Sequence, residues 1–151
     1  MNDPYDLQRF VDAQNEQSGG AGRTIFEQAC QELRAGEKRS HWMWFVFPQI
    51  RGLGTSPFAR KFAISSLAEA QAYLQHPVLG ERLKDCTRLI NELPGRTAGQ
   101  ILGGIDEMKF RSSLTLFAAA TTDNRLFLDA LKKYFQGQPD QATLDRIQPQ
   151  T

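Results

Sequence analysis

Three times along this chain a hydroxyl side chain is followed three positions later by Glu or Gln: Thr24 and Glu27, Ser66 and Glu69, Thr97 and Gln100. At a helix start that spacing lets the hydroxyl and the longer side chain each accept from a backbone N–H that has no partner within the helix. Apolar residues then recur at steps of three and four. Ile25, Phe26, Ala29, Cys30 and Leu33 form one stripe, stopped by Gly36, and Leu67, Ala70, Tyr73 and Leu74 form a second. His76 and Pro77 open a third, with His76 as cap and Leu79, Leu83, Cys86, Ile90 and Leu93 inward, stopped by Pro94 and Gly95. Gly103 and Gly104 mark a break. Asp106 then reads as the cap of a long central helix through Phe110, Leu114 and Phe117. Asp123 reads as the start of a helix carrying Phe127, Ala130, Leu131 and Phe135, closed by Gly137, with a last turn over 143–147.

The remaining segments are less regular. Asp3 and Pro4 suit a cap and first turn ahead of Leu7, Phe10 and Val11, while the polar, glycine-rich stretch 14–22 suits a mobile linker. The aromatic run from Ser40 to Gln49 is expected to be helical and to end at Pro48, because no second strand-like run exists to pair with it. Ser56 and Pro57 close a glycine-rich loop and open a helix that turns Phe58, Phe62 and Ala63 inward. The expectation is an all-α, single compact multihelical domain over residues 1–151. Residues 1–23 hold an N-terminal helix and linker, and 148–151 form a frayed tail.

Composition narrows the function classes. A formal net charge of +1 argues against a surface built to coat nucleic acid, and no apolar run approaches a membrane span. Without a signal peptide the chain is expected to be cytoplasmic. Cys30 and Cys86 belong to no CxxC or Cys/His pattern and fall on apolar helix faces, so buried free thiols are expected, with no metal site and no cofactor.

Charge is uneven, however. Residues 36–65 hold Lys38, Arg39, Arg51, Arg60 and Lys61 against the single acid Glu37, together with His41, Trp42, Trp44 and Gln49. The glycine loop feeding a helix start there is neither a P-loop nor a dinucleotide fingerprint. A second concentration, DEMKFRSSLT at 106–115, sets Lys109, Ser112 and Ser113 on one helical face beside apolar neighbours. Asp106 and His41 are the candidate catalytic groups. Trp44, Gln49, Arg60, Lys109 and Ser112 are the candidate ligand-binding ones. The plain structural alternatives are a cap for Asp106, core packing for the tryptophans and a solvated face for 109–113. No Ser-His-Asp set, HExxH motif or paired-carboxylate spacing is present.

KRSHWMWFVFPQIRGLG at 38–54, ISSLAEAQAYLQHPVLGERL at 64–83 and DEMKFRSSLTLF at 106–117 strongly resemble a bacterial family catalogued as domain of unknown function 1810 (DUF1810). The resemblance covers most of the chain and implies a multihelical all-α fold, but no activity. The name calpastatin sometimes attached to that family implies an extended, disordered inhibitor, which the repeated caps and apolar stripes contradict. Two function classes stay open. One is a pocket between the 38–60 segment and the 106–115 helix that binds or turns over an anionic, nucleotide-like small molecule. In its enzymatic form Asp106 stabilises a cationic transition state, Lys109 and Arg60 hold the anion, and Trp44 stacks on the ring. The other is a protein-interaction module without an active site, its partner unspecified, built on the aromatic density from Trp42 to Phe47. A concave pocket holding Lys109 and His41 favours the first class, and a flat exposed patch with Trp42 or Trp44 the second.

Overall fold

A computed structural model describes residues 3–18 and 22–147. The expected tail at 148–151 lies outside the described residues, as do residues 19–21 of the expected linker. The flanking parts of that linker are tied down: Ser18 N–H donates to Arg23 O and Ile25 N–H to Glu16 O, both at 2.8 Å.

The described residues form ten helices in one compact domain: α1 (Gln8–Asn15), α2 (Ile25–Ala35), α3 (Met43–Val46), α4 (Pro57–Lys61), α5 (Leu67–Gln75), α6 (Leu79–Asn91), α7 (Ala98–Leu102), α8 (Gly104–Ala119), α9 (Arg125–Phe135) and α10 (Gln141–Ile147). Local chemistry sets many of their ends. Thr24 and Glu27 close a reciprocal capping box on α2, Thr97 and Gln100 another on α7, and Gly36 ends α2 at φ 77°. His76 Nδ1 accepts from the N–H groups of Val78 and Leu79 at the start of α6, but the N-cap position is Val78, so His76 is not the cap expected of it. Asp3 accepts from the N–H groups of Leu7 and Gln8 at 2.8 and 2.9 Å.

Tertiary demands overrode several expectations. The 40–49 run makes a single turn, α3, before the chain extends. Arg51 N–H then donates to Ile64 O, and Ile64 N–H to Gln49 O, each at 2.8 Å, so this short parallel pairing satisfies the backbone without a sheet. Ser66 caps α5, but Glu69 does not close the box. Its buried carboxylate instead accepts from Ser65 N–H and Oγ and pairs with Arg9 at 2.9 Å. Phe58 is half exposed rather than turned inward. Asp106 is not the cap of α8, which starts at Gly104 behind Gly103, and Asp123 is not the cap of α9, whose N-cap position is Asn124.

The core is built around α8, which packs against α5, α7, α9 and α10, while α6 packs against α2, α5 and α9. Every residue of α8 from Ser112 to Ala118 is buried, and aromatic contacts link Phe117 to Tyr73 and Phe127, and Phe110 to Phe47. The first two turns of the same helix rise out of this core. Ile105 and Met108 are exposed, and one flank of those turns faces the 38–44 segment. Cys30 and Cys86 are free and buried. Among the described residues, no helix is long and apolar enough to cross a membrane.

Candidate functional site

The 38–44 segment is irregular and therefore needs partners for its backbone. Glu32 supplies them from α2: its buried carboxylate accepts from Arg39 N–H, Ser40 N–H, Ser40 Oγ and the Trp42 indole N–H, at 2.6–3.0 Å, and from Gln28 Nε2 at 2.7 Å. Burial works against this charge, but the hydrogen bonds from Ser40, Gln28 and Arg39 outweigh it and hold the carboxyl down at about 2. Trp42 is fully buried by this arrangement, and Lys38 N–H donates to Ile101 O at 2.7 Å, sewing the segment to α7. Farther on, the Phe45 carbonyl accepts from the buried Gln14 amide at 2.7 Å. The wall that carries Lys38, His41 and Trp44 is thus fixed at both ends.

Opposite it stands the start of α8. The two surfaces enclose a cleft of about 390 Å³ lined by Lys38, His41, Met43, Trp44, Leu102 and residues 103–106 and 109. Lys38 Nζ lies 2.9 Å from one oxygen of Asp106 and Lys109 Nζ lies 3.5 Å from the other. Lys38 sits over the Trp42 ring and Lys109 over the Trp44 ring, at 5.2 and 5.0 Å from the centroids. Two ammonium groups therefore converge on one carboxylate, and all three are largely withdrawn from water. One positive charge is left over. Glu107, the next acid along α8, turns towards Gly99 instead. The backbone also opens here: Gly103 (φ 91°) and Gly104 line the cleft, no side chain caps α8, and a Cβ built on either glycine meets nothing within 4 Å. The buried indole N–H of Trp44 has no acceptor within the described chain.

Of the residues singled out from sequence, His41, Trp44, Asp106 and Lys109 come together here. Gln49 lines a neighbouring cavity of about 10 Å³, shared with Trp44 and Lys109. Arg60 is elsewhere. The turn of α4 that buries Phe62 swings Arg60 outward, into a surface hollow with Arg9, Arg51 and Lys61. Ser112 is elsewhere too: although one turn on from Lys109 it is buried, its hydroxyl bonding back to Met108 O within α8 and to Asp140 Oδ2 just ahead of α10. Lys38, Glu32 and the Gly103–Gly104 pair were not picked out as site residues. The glycine pair ahead of a helix was a visible signal, and Glu32 betrays itself as a charged residue on the apolar stripe of α2. His41 is exposed and takes part in none of the hydrogen bonds of the described residues, so nothing fixes its ring for acid–base work. Among the described residues no group of three or more His, Cys, Asp or Glu is placed to hold a metal ion.

Residues 4–147 match the family described as protein of unknown function (DUF1810). The chain belongs to that family. The chain is also similar to the crystal structure of the conserved hypothetical protein Rv1873 from Mycobacterium tuberculosis, with 51% sequence identity, 96% of this chain and 98% of that chain covered and a TM-score of 0.90. Curated proteins offer no match. The neighbour's fold agrees with the all-α reading, and neither comparison carries an activity.

Proposed function

We propose that the cleft between the 38–44 segment and the start of α8 binds a small organic anion. The observation that carries this reading is the pair of lysines on a single carboxylate, which leaves an unbalanced cation in a partly dehydrated hollow where a second anion is favoured. The N–H groups of the uncapped α8 start add to the same preference. Lys38 and Lys109 hold the anion, Trp44 supplies the flat wall, and Asp106 keeps the lysines in place; Arg60 and Ser112 have no part. Binding is favoured over turnover, since both oxygens of Asp106 are engaged and His41 has no orienting partner. The interaction-module reading drew on Trp42 and Trp44, and of these Trp42 is buried while Trp44 borders a concave surface.

Calorimetry with nucleotides, sugar phosphates, inorganic phosphate and simple carboxylates tests the reading. Lys109→Met should weaken whatever binds by about tenfold or more, the effect of losing a hydrogen bond to a charged group. Arg60→Met should leave it unchanged. Silence across the whole panel, or equal loss in both variants, overturns the proposal.

A further inference from the structure

The same cleft says something about the rest of its ligand. Its walls away from the two lysines are Met43, Leu102, Ile105 and the Trp44 ring, so the surface it exposes is more apolar than polar. The apolar character continues over the rim. Among the described residues the exposed large apolar side chains are Phe58, Ile105, Met108 and Leu128; of these Ile105 lines the cleft, Met108 lies one turn along α8 from it and Phe58 packs on the wall residue Trp44. Ile105, 76% exposed, is in the wall itself. Met108, 69% exposed, lies three residues along α8, next to Lys109. Phe58, 52% exposed, stacks on Trp44 at 5.3 Å between centroids. Exposed apolar groups scattered singly need no explanation, but a cluster around a charged hollow marks a place where something apolar lands.

A sugar phosphate suits such a site poorly. Hydroxyls turned towards Ile105, Leu102 and Met43 would be dehydrated without hydrogen-bond partners, at a free-energy cost, and only those turned towards His41 or the backbone of 103–104 would find any. Resting on the anion-site reading above, we infer that the ligand is an amphiphile, a carboxylate or phosphate joined directly to an alkyl or aryl body. The anion meets Lys38 and Lys109, and the body covers Ile105 and the Trp44–Phe58 pair. Charge complementarity fixes the orientation, because a cationic head of the same shape would meet the surplus ammonium group.

The test is a calorimetric series on the intact chain with acetate, butanoate, hexanoate and octanoate, with 3-phenylpropanoate as the aryl case and hexylammonium as the reversed-charge case. Affinity should rise by about two- to fourfold per added methylene, the partition gain of a CH₂ leaving water, and hexylammonium should not bind. Ile105→Ser, at a position too exposed to endanger folding, should flatten the chain-length dependence and leave acetate unchanged. If every carboxylate binds alike and Lys109→Met weakens them all, the anion site stands and the amphiphile inference falls. If hexylammonium binds as well as hexanoate, the anion site itself falls. Sedimentation velocity closes the remaining route: a dimer abolished by Ile105→Ser would assign the apolar rim to a second copy of the chain and overturn the inference.

Discussion

Glu32 shows how much one side chain can decide. It is a carboxylate on the buried face of α2 with no cation against it, and its charge is held by five hydrogen bonds from neutral donors. The folded-state value of about 2 lies below the ordinary 4.5, so the charged form is the one that folding favours. Its contribution is therefore complete above pH 4.5 and fades as the pH falls towards 2, amounting to about 3 kcal/mol at neutral pH. Urea unfolding between pH 2.5 and 7 should show Glu32→Gln destabilised by about that amount at neutral pH, with the gap to the parent protein closing in acid. Equal gaps at both ends of the range would mean that the loss is one of packing rather than charge. Lys109 is the opposite case. It is partly exposed and replaceable, and its removal leaves Asp106 still paired with Lys38, so Lys109→Met should leave the melting temperature within a few degrees of the parent.

At the level of helices and turns, three glycines make different predictions that thermal melts can separate. Gly80 lets α6 approach α5 so closely that an added Cβ would lie 2.1 Å from Leu74 O; Gly80→Ala should cost about 2–3 kcal/mol. Gly103 holds φ 91° and ψ 159°, a conformation that suits only glycine, so Gly103→Ala should cost about 1–3 kcal/mol. Gly104 has neither constraint. Gly104→Ala should stabilise the fold by about 0.5 kcal/mol while crowding the cleft and weakening its ligand. The α2 and α7 caps and the Gly36 stop were legible because each is settled within four residues. The 40–49 run was not, since an aromatic stretch reads the same as helix or extended chain, and its partner at Ile64 lies in a segment with no strand pattern of its own. The site divides the same way. His41, Trp44, Asp106 and Lys109 stood out as polar or amphipathic groups within apolar segments. The directions of Arg60 and Ser112 depend on which way α4 and α8 are rolled, and those rolls are set by Phe62 and by Asp140 of a distant turn.

Across the whole molecule, the 37–66 segment carries little regular structure and yet forms one wall of the cleft. It is fastened at its start by Glu32, and near its end by Arg9, which donates to Lys61 O and Ala63 O at 2.8 Å, and by Glu69, which holds Ser65. Arg9→Met leaves Glu69 buried and unpaired, and should destabilise the chain by about 3 kcal/mol. Hydrogen exchange should quicken first between Arg51 and Ser65, with α8 and α9 protected until global unfolding; uniform quickening would show that the segment is not a separate opening unit. The two indoles differ in exposure, Trp42 sealed against Glu32 and Trp44 bordering the cleft. The chain therefore carries its own optical reporter. Acrylamide should quench one emitter and spare the other, and a ligand entering the cleft should shield the quenchable one, so occupancy can be followed in the unlabelled protein by light alone.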